Sequence, residues 1–497
     1  MARHRVPEQA LRNFLSILLG FLLGGINNLV VLPWAFSDNL GSWGLVRVAA
    51  AWGTLIGPIL AFGAPAAMNR FKGSTDQRQA FPELMGTLLW PPIVLFLAFV
   101  ALPAGFFPSG VANLLGLEGA NRAAVRPIAM LAGLQAAQVY FASFLSTRLK
   151  TSFATFAKET LFKSGYLALA LALGLGWLGD PAFLPAFVAL NALVLLALFA
   201  QSLANQFQIR WTGLRDRVLR REVRTYGATM ILGASALVIL SQIDIIMVGR
   251  LLDLDQVPAF TVAAFIATVT QVPQRAFQRL LQPLISQSLH RQDGTETWRL
   301  VRLTHRSLLL SAGWILTCIW ATTPEIDRLL PPEFHGLEWV ILTVGAVRVL
   351  QGGALGSQVL LGQSDHYRHT IALNWGMVAI AIPLNLWMIP ETGLGLGLWG
   401  AALATLTAVT TAVVARQWVV WRVWGQWIPS WRSLLILALV SLPGWALHQW
   451  EPHLHAAVAL LVKAGLATMW VGGAAWSLNL VPEGKALVVA RMRGRTS

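Results

Sequence analysis

The chain has 497 residues, of which 12% are charged and 56% are hydrophobic. Soluble domains carry about 25% charged residues, so this composition excludes an ordinary water-soluble fold and indicates a protein that lies in lipid. The net charge of +15 could by itself indicate a nucleic-acid-binding protein. Here, however, the basic residues lie in short segments between apolar runs, which is the pattern of membrane topology.

Fourteen apolar runs long enough to cross a bilayer follow one another along the chain. A spanning helix needs about 20 apolar residues, and a helix pairs all its backbone groups within one segment. The first run, 14–36, is too long for the core of a cleavable signal. The sequence therefore predicts an all-α polytopic membrane protein with about fourteen transmembrane helices. The predicted helices are 13–34, 44–69, 84–107, 125–147, 158–179, 184–207, 226–249, 258–281, 303–323, 338–361, 368–389, 396–419, 432–449 and 456–480.

The distribution of lysine and arginine predicts the orientation of these helices. With a cytoplasmic N-terminus, 28 of the 37 Lys and Arg residues fall in cytoplasmic segments and four in external loops. Basic loops are retained on the cytoplasmic side, so both termini are expected to be cytoplasmic. The segment 208–225, with six arginines, is the strongest anchor.

The helix spacing predicts an internal repeat. A shift of 216 residues places each of the first four predicted helices on another predicted helix, and the segment 26–31 falls on 242–247. Six helices per repeat give two parallel lobes, a layout typical of transporters. The alternative is that evenly spaced helices coincide by chance. The predicted domains are a six-helix lobe, a basic linker, a second six-helix lobe, and two extra helices with a cytoplasmic tail: 1–210, 211–225, 226–420 and 421–497.

No segment of the sequence predicts an enzyme. The longest predicted external loop, 108–124, is too short for a catalytic domain. Nucleotide P-loop, HExxH and GxSxG motifs do not occur, and no cofactor or metal site is predicted. Two GxGxxG segments, 174–179 and 395–400, lie at the ends of predicted membrane helices, where close helix packing is the better interpretation. Gly53 and Gly57 are interpreted in the same way.

Charged residues inside predicted helices are the candidate functional residues, because a charge in the bilayer is costly and usually faces a cavity or a partner. Five basic residues fall there, against one clear deep acid, Asp244. This imbalance predicts a positively charged interior that binds an anionic cargo, since guanidinium matches phosphate oxygens. The five basic residues are Arg47, Arg275, Arg279, Arg348 and Lys463.

Less specific roles remain open for several of these residues. Arg279, Arg47 and Lys463 could extend to the membrane surface rather than line a cavity. Asn27 and Asn28 could bind a hydroxyl-rich part of the cargo or only join helices. Asp244 could neutralise an arginine or carry a coupling proton, and the pairing role is preferred.

Two stretches of the sequence carry a family resemblance. The segments 44–48 and 63–71 resemble the second helix of bacterial polysaccharide flippases. The segments 241–249 and 259–267 resemble their seventh and eighth helices. These Wzx-type flippases of lipid-linked oligosaccharides belong to the multidrug/oligosaccharidyl-lipid/polysaccharide exporter superfamily.

The resemblance implies a flippase of the bacterial inner membrane that works by alternating access. Its cargo would be an undecaprenyl-pyrophosphate-linked oligosaccharide, moved from the cytoplasmic to the periplasmic leaflet. Arg47 and Arg275 would hold the pyrophosphate, and the last two helices would help to form a groove for the lipid tail. The first helix lacks the arginines of lipid II flippases and offers Asn27 and Asn28, which favours a different glycan. Ile245 stands where the family often has a basic residue.

Two other functions remain as alternatives. A cation-coupled multidrug exporter of the same superfamily would need acidic residues in its cavity. A membrane-embedded glycan polymerase or ligase would need a long external loop with catalytic residues. Coupling to protons or sodium is left open, and no nucleic-acid partner is expected.

Overall fold

The computed structural model describes residues 15–478 and 480, without the side chains of residues 120, 279 and 280. Fourteen long helices, α1 to α14, make up most of this described part. A short helix, Pro108–Leu115, lies between α3 and α4. The fourteen are α1 (Leu15–Ala35), α2 (Leu40–Gln77), α3 (Phe81–Phe106), α4 (Asn121–Thr147), α5 (continuous segments Thr151–Phe156, Ala157–Leu161 and Phe162–Gly174), α6 (Asp180–Ala204), α7 (Arg217–Leu251), α8 (Gln256–His290), α9 (Gly294–Leu329), α10 (Glu338–Gly353 and Leu355–Gln363), α11 (Tyr367–Met388), α12 (Gly397–Trp424), α13 (Trp431–Gln449) and α14 (Ala456–Ser477).

The prediction of an all-α polytopic membrane protein is confirmed. Of the described helices, 12 are long and apolar enough to cross a membrane. The two halves of α10, bent by 46°, make a thirteenth if they form one broken span. The predicted fifth helix is present as α5, but it does not qualify as a span because Lys158, Glu159 and Lys163 fall within its apolar stretch.

Several helices extend beyond the apolar runs that predicted them. The helix α9 covers Gly294–Leu329 instead of 303–323, and α12 continues to Trp424, where Gly425 ends it with φ +67°. Charged residues such as Glu, Lys and Arg are good helix formers, so the backbone hydrogen bonds continue after the apolar run stops. Residues that the sequence placed in loops therefore lie inside helices.

The chain divides into two compact units, residues 1–258 and 259–497. The sequence placed this division at the basic linker, 211–225, and assigned the helix that follows it to the second lobe. The structure begins α7 within that linker, at Arg217, and α7 packs against α2 in the first unit. The predicted sequence repeat remains a prediction.

In the first unit, α2 packs closely against α4 and α7. A Cβ atom added at Gly57 would lie 2.8 Å from the Cβ of Gln135. At Gly63, where φ is +66° and α2 bends, an added Cβ would lie 2.3 Å from the carbonyl oxygen of Gly227. Only glycine fits these positions, so the interpretation of Gly53 and Gly57 as helix-packing residues is supported.

In the second unit, α9 is the central helix and contacts α8, α10, α13 and α14. The helices α11 and α12 form an antiparallel pair whose tight connection places Gly400 against the carbonyl oxygen of Met388. This contact fixes the register of the pair, because a side chain at residue 400 would collide with that oxygen at 2.6 Å.

Candidate functional site

Arg47 lies in α2 of the first unit among aromatic residues. Its side chain is half-buried, and its Nε atom is buried without a hydrogen-bond partner. Trp43, one turn earlier, is fully buried, and the phenol of Tyr166 from α5 interacts electrostatically with the guanidinium. Within the described part of the chain, no carboxylate lies within ion-pair distance of Arg47. This arginine therefore keeps its positive charge available to an anion.

Asn27 and Asn28 lie in a π-helical turn of α1 and donate hydrogen bonds within the protein. Asn27, 1% exposed, donates its Nδ2 to the Lys163 carbonyl of α5 at 3.1 Å. Asn28 donates its Nδ2 to the Gly24 carbonyl at 2.7 Å. Both Oδ1 atoms are buried without a hydrogen-bond partner. The structure thus uses the amide donors to join helices and leaves two acceptors for hydroxyl groups or water.

Arg348 of α10 lies among glutamine side chains in the second unit. Its Nη1 donates to Gln351 Oε1 at 3.2 Å. With the Gln271 amide oriented so that its oxygen faces the guanidinium, that oxygen accepts from Arg348 Nε at 3.2 Å and Nη1 at 3.1 Å. The Oε1 atom of Gln274, on the same helix as Gln271, is buried without a partner. Glutamine amides thus help to hold the guanidinium in place.

A break in α10 follows Arg348 and is stabilised by a buried histidine. The ring of His305 on α9 is 8% exposed. Its Nδ1 lies 2.8 Å from the Gly353 carbonyl at the break, and its Nε2 lies 3.0 Å from the hydroxyl of Ser433 on α13. A carbonyl only accepts hydrogen bonds, so Nδ1 carries the proton and Nε2 accepts from Ser433 in the neutral ring. This bridge fixes the bend that follows the arginine.

The remaining predicted residues are less defined. Arg275 of α8 is exposed. The side chain of Arg279 lies outside the described residues. Asp244 of α7 is half-buried and has an interaction partner. Among the described residues, no group of three His, Cys, Asp or Glu side chains is placed to hold a metal ion.

Lys463 requires a correction, because the sequence offered it as an open cargo-binding residue. Its side chain is 0% exposed, and its Nζ lies 2.7 Å from Oε1 of Glu325, whose side chain is 1% exposed. The angles of this contact do not satisfy hydrogen-bond geometry, so it is an ion pair by distance alone. The sequence placed Glu325 outside the membrane because the apolar run ended at 323, whereas α9 continues to Leu329. Lys463 is thus neutralised by a second buried acid.

Arg416 is a buried arginine near the end of the predicted helix 396–419, and the sequence pattern did not include it among the candidate residues. It lies in α12 and is 4% exposed. The apolar stretch that resumes after it, Trp418–Val420, was the available signal that this charge lies within the helix rather than at its end. A buried stripe of small residues leads along α12 to this arginine; it contains Ala401, Ala404, Ala408 and Ala412.

Comparisons with known proteins identify the fold. No protein-family profile matches the chain, and no curated protein matches its sequence. A solved structure of the lipid II flippase MurJ in an inward closed conformation matches with a TM-score of 0.72 and 13% identity, covering 95% of this chain and 99% of that one. An inward-facing multidrug resistance MATE family transporter of the MOP superfamily matches with a TM-score of 0.57 and 13% identity, covering 89% and 96%.

A third match is a MOP superfamily transporter from Pyrococcus furiosus, described as having a binding pocket of reverse polarity. Its TM-score is 0.51 and its identity 14%, with 83% of this chain and 95% of that one covered. All three matched proteins are transporters or flippases rather than enzymes. The chain is therefore a multi-pass membrane protein with the fold of the MOP superfamily transporters.

Proposed function

We propose that the protein is a flippase for an undecaprenyl-pyrophosphate-linked oligosaccharide. It would move this lipid from the cytoplasmic to the periplasmic leaflet of a bacterial inner membrane by alternating access, with both termini in the cytoplasm. The observation that carries the proposal is Arg47, a half-buried guanidinium in a spanning helix whose neighbours are aromatic. Arg348, held by glutamine amides, supports it from the second unit.

The chemistry of these residues fits a phosphorylated sugar lipid. A glycan cannot cross hydrocarbon unaided, because each hydroxyl would lose its hydrogen bonds to water. Arginine offers a planar fork of donors to pyrophosphate oxygens. The unfilled oxygens of Asn27 and Asn28 would accept hydrogen bonds from sugar hydroxyls. Because α1 offers amides at these positions rather than arginines, we expect a glycan other than that of lipid II.

A cation-coupled multidrug exporter is the second candidate. It is favoured by the match to the MATE transporter and by the half-buried Asp244. Against it, the buried Glu325 is neutralised by Lys463 and cannot attract a cationic drug without breaking that pair. A polymerase or ligase receives no support from the matched structures, which are not enzymes.

Deletion of the gene and chemical analysis of the lipid fraction separate the candidates. A flippase deletion accumulates lipid-linked oligosaccharide at the cytoplasmic leaflet and removes surface glycan. An exporter deletion leaves the glycan intact and makes the cells hypersensitive to cationic drugs, which is the result that would refute the flippase proposal.

Single substitutions then test the arginines. We expect Arg47→Met and Arg348→Ala each to reduce transport of labelled lipid-linked oligosaccharide in proteoliposomes about tenfold or more, because a hydrogen bond to a charged group contributes about 1.5–3 kcal/mol. Arg275→Ala, made on the basis of the family resemblance, should abolish surface glycan as well. Arg299→Ala is the matched control, since this arginine is exposed and paired with Glu296. Normal transport by both Arg47→Met and Arg348→Ala would contradict the cationic-site proposal.

A further inference from the structure

The guanidinium of Arg416 is a buried charge without a neutralising group. Arg416 is 4% exposed, and its Nε atom is completely buried. In the described part of the chain it forms no hydrogen bond and no ion pair. By contrast, Lys463, a fully enclosed cation of the same unit, lies 2.7 Å from a carboxylate.

Such an arrangement is unfavourable for the protein by itself. Arginine remains protonated in proteins, so Arg416 cannot escape the cost of burial by losing its charge. A buried ion without a partner costs several kcal/mol, and buried polar groups are almost always hydrogen-bonded. An unsatisfied buried group in a native structure calls for a water molecule, an ion or a ligand as its partner.

Further unfilled polar atoms lie on α12 and on its neighbour α11. The neighbouring residue Gln417, also 4% exposed, places its Nε2 3.4 Å from Ser357 Oγ of α10 and leaves its Oε1 without a partner. On α11, Thr370 Oγ1 and Asn374 Oδ1 are likewise buried without partners. The two amide oxygens are acceptors and the threonine hydroxyl can donate or accept, whereas the guanidinium supplies only donors.

The register of α11 and α12 places these groups at one height. Gly400 lies against Met388, and the two helices run antiparallel from this contact. With a rise of about 1.5 Å per residue, α11 reaches Asn374 about 21 Å from the contact. At the same height α12 reaches residue 414, half a turn from Arg416. By the same rise Thr370 is level with residue 418, so the two α11 oxygens lie on either side of the level of Arg416.

We propose that Arg416 is a binding residue for a phosphate oxyanion, with Gln417 as its neighbouring acceptor. The guanidinium would bind two oxygens of the phosphate, and the unfilled oxygens of Gln417, Asn374 and Thr370 would accept from a hydroxyl group or water of the same ligand. The phosphate belongs either to the lipid-linked cargo, which rests on the proposed function, or to a membrane phospholipid. Of the guanidinium nitrogens only Nε is completely buried without a partner, so the phosphate would approach the Nη atoms.

Thermal unfolding of purified protein tests this binding. The probes are farnesyl pyrophosphate in detergent, for the cargo's chemistry, and phosphatidylglycerol vesicles, for a phospholipid. We expect at least one probe to raise the melting temperature of the wild type and to leave that of Arg416→Met unchanged, since methionine keeps the side-chain length without the charge. The probe that acts identifies the source of the phosphate. Equal shifts in the two proteins, or no shift of the wild type by either probe, would overturn the inference.

The melting temperatures of the variants without ligand provide a second test. Arg416→Met should melt at a higher temperature than the wild type, because it removes an uncompensated charge. Arg416→Lys retains the charge but lacks the paired N–H donors of the guanidinium. If Arg416→Met fails to fold, the probe experiment is carried out on Arg416→Lys, which should show a reduced shift. A melting temperature of Arg416→Met below that of the wild type, together with an unreduced shift for Arg416→Lys, overturns the inference.

Transport distinguishes failure of this inference from failure of the proposed function. We expect Arg416→Met to lose transport of lipid-linked oligosaccharide at least tenfold if the cargo is the phosphate source. Suppose that Arg416→Met transports normally, that Arg348→Ala does not, and that farnesyl pyrophosphate is the probe that raises the melting temperature. The assignment of the cargo as the ligand of Arg416 then fails, while the proposal that the protein is a flippase is unaffected. If neither substitution affects transport, neither arginine binds the cargo and the flippase remains, whereas absence of transport by the wild type means that the proposed function itself fails.

Discussion

Lys463 and Arg416 are both buried cations of the second unit, yet the protein treats them in opposite ways. Lys463 of α14 lies 2.7 Å from Glu325 of α9, and both side chains are enclosed. Arg416 of α12 is almost equally buried and has no acid beside it among the described residues. The first charge is neutralised within the fold, whereas the second is left for something that the fold does not contain.

This difference separates structural charges from candidate binding charges. Breaking a buried ion pair is costly because one ion remains without its partner, so such a pair ties its helices together. A buried ion without a partner is unfavourable for folding and is retained for another reason. By this criterion Lys463 leaves the group of cargo-binding candidates, and Arg47 and Arg416 stay in it.

The largest effect expected from this comparison is the loss of Lys463. Lys463→Met leaves Glu325 charged and buried, and we expect it to destabilise the protein by about 3–5 kcal/mol. The change should appear as a marked fall in melting temperature in detergent, followed for instance by size-exclusion chromatography after heating. Arg416→Met, measured in parallel, should change the melting temperature in the opposite direction.

The double substitution of the pair is the control for this prediction. Lys463→Met combined with Glu325→Leu removes both ions together, and we expect a stability close to that of the wild type. If the single substitution at Lys463 is harmless, the pair does not hold α14 to α9. The distinction between paired and unpaired cations in this unit would then be wrong.

A smaller effect is expected at His305, a buried polar group that is neutral and fully paired. His305→Leu leaves the Gly353 carbonyl and the Ser433 hydroxyl without their partner, and the cost should be about 1–3 kcal/mol. A double-mutant cycle with Ser433→Ala measures the coupling. Strictly additive effects would show that the histidine does not bridge the break in α10 to α13.

The smallest effect is expected at Asp216, an exposed charge in the loop before α7. Its pKa is lowered, first by the backbone N–H of Leu219 and then by that of Val218 and by Arg78. A carboxylate with a lowered pKa stabilises the fold above the ordinary Asp pKa of about 3.9, and this contribution is lost as the pH falls through the lowered value.

Substitutions at Asp216 separate the cap from the charge. Asp216→Asn should keep the helix cap and lose the pH-dependent part, whereas Asp216→Ala should lose both. Melting temperatures measured from pH 7 down to pH 3 test this. An unchanged pH profile in Asp216→Asn would show that this surface charge contributes nothing, which would widen the contrast with the buried pair.

The positions of the helices could be predicted from the sequence, because each apolar run must form a helix to satisfy its backbone in lipid. The ends could not be predicted in the same way. Hydropathy falls at the charged residues after 323, but α9 continues through Glu325, which lies in the protein interior. The predicted fifth helix formed as α5, although its charges keep it from qualifying as a span.

The candidate site could be predicted only in part. The sequence identified Arg47 and Arg348 because each is a charge inside an apolar run, and both are half-buried in the structure. It could not reveal that Lys463 has a partner, since Glu325 is 138 residues away along the chain. It also passed over Arg416, because a charge near the end of an apolar run resembles an ordinary membrane anchor.

Composition and hydropathy by themselves determined that this chain lies in a membrane, that it is helical, and approximately where each helix lies, because these properties depend on the solvation of each segment alone. Which charges are neutralised depends on contacts between segments far apart in the chain, so only the tertiary structure decided it. The pairing of Lys463 and the isolation of Arg416 are both of this kind, since each depends on what a neighbouring helix places beside the charge.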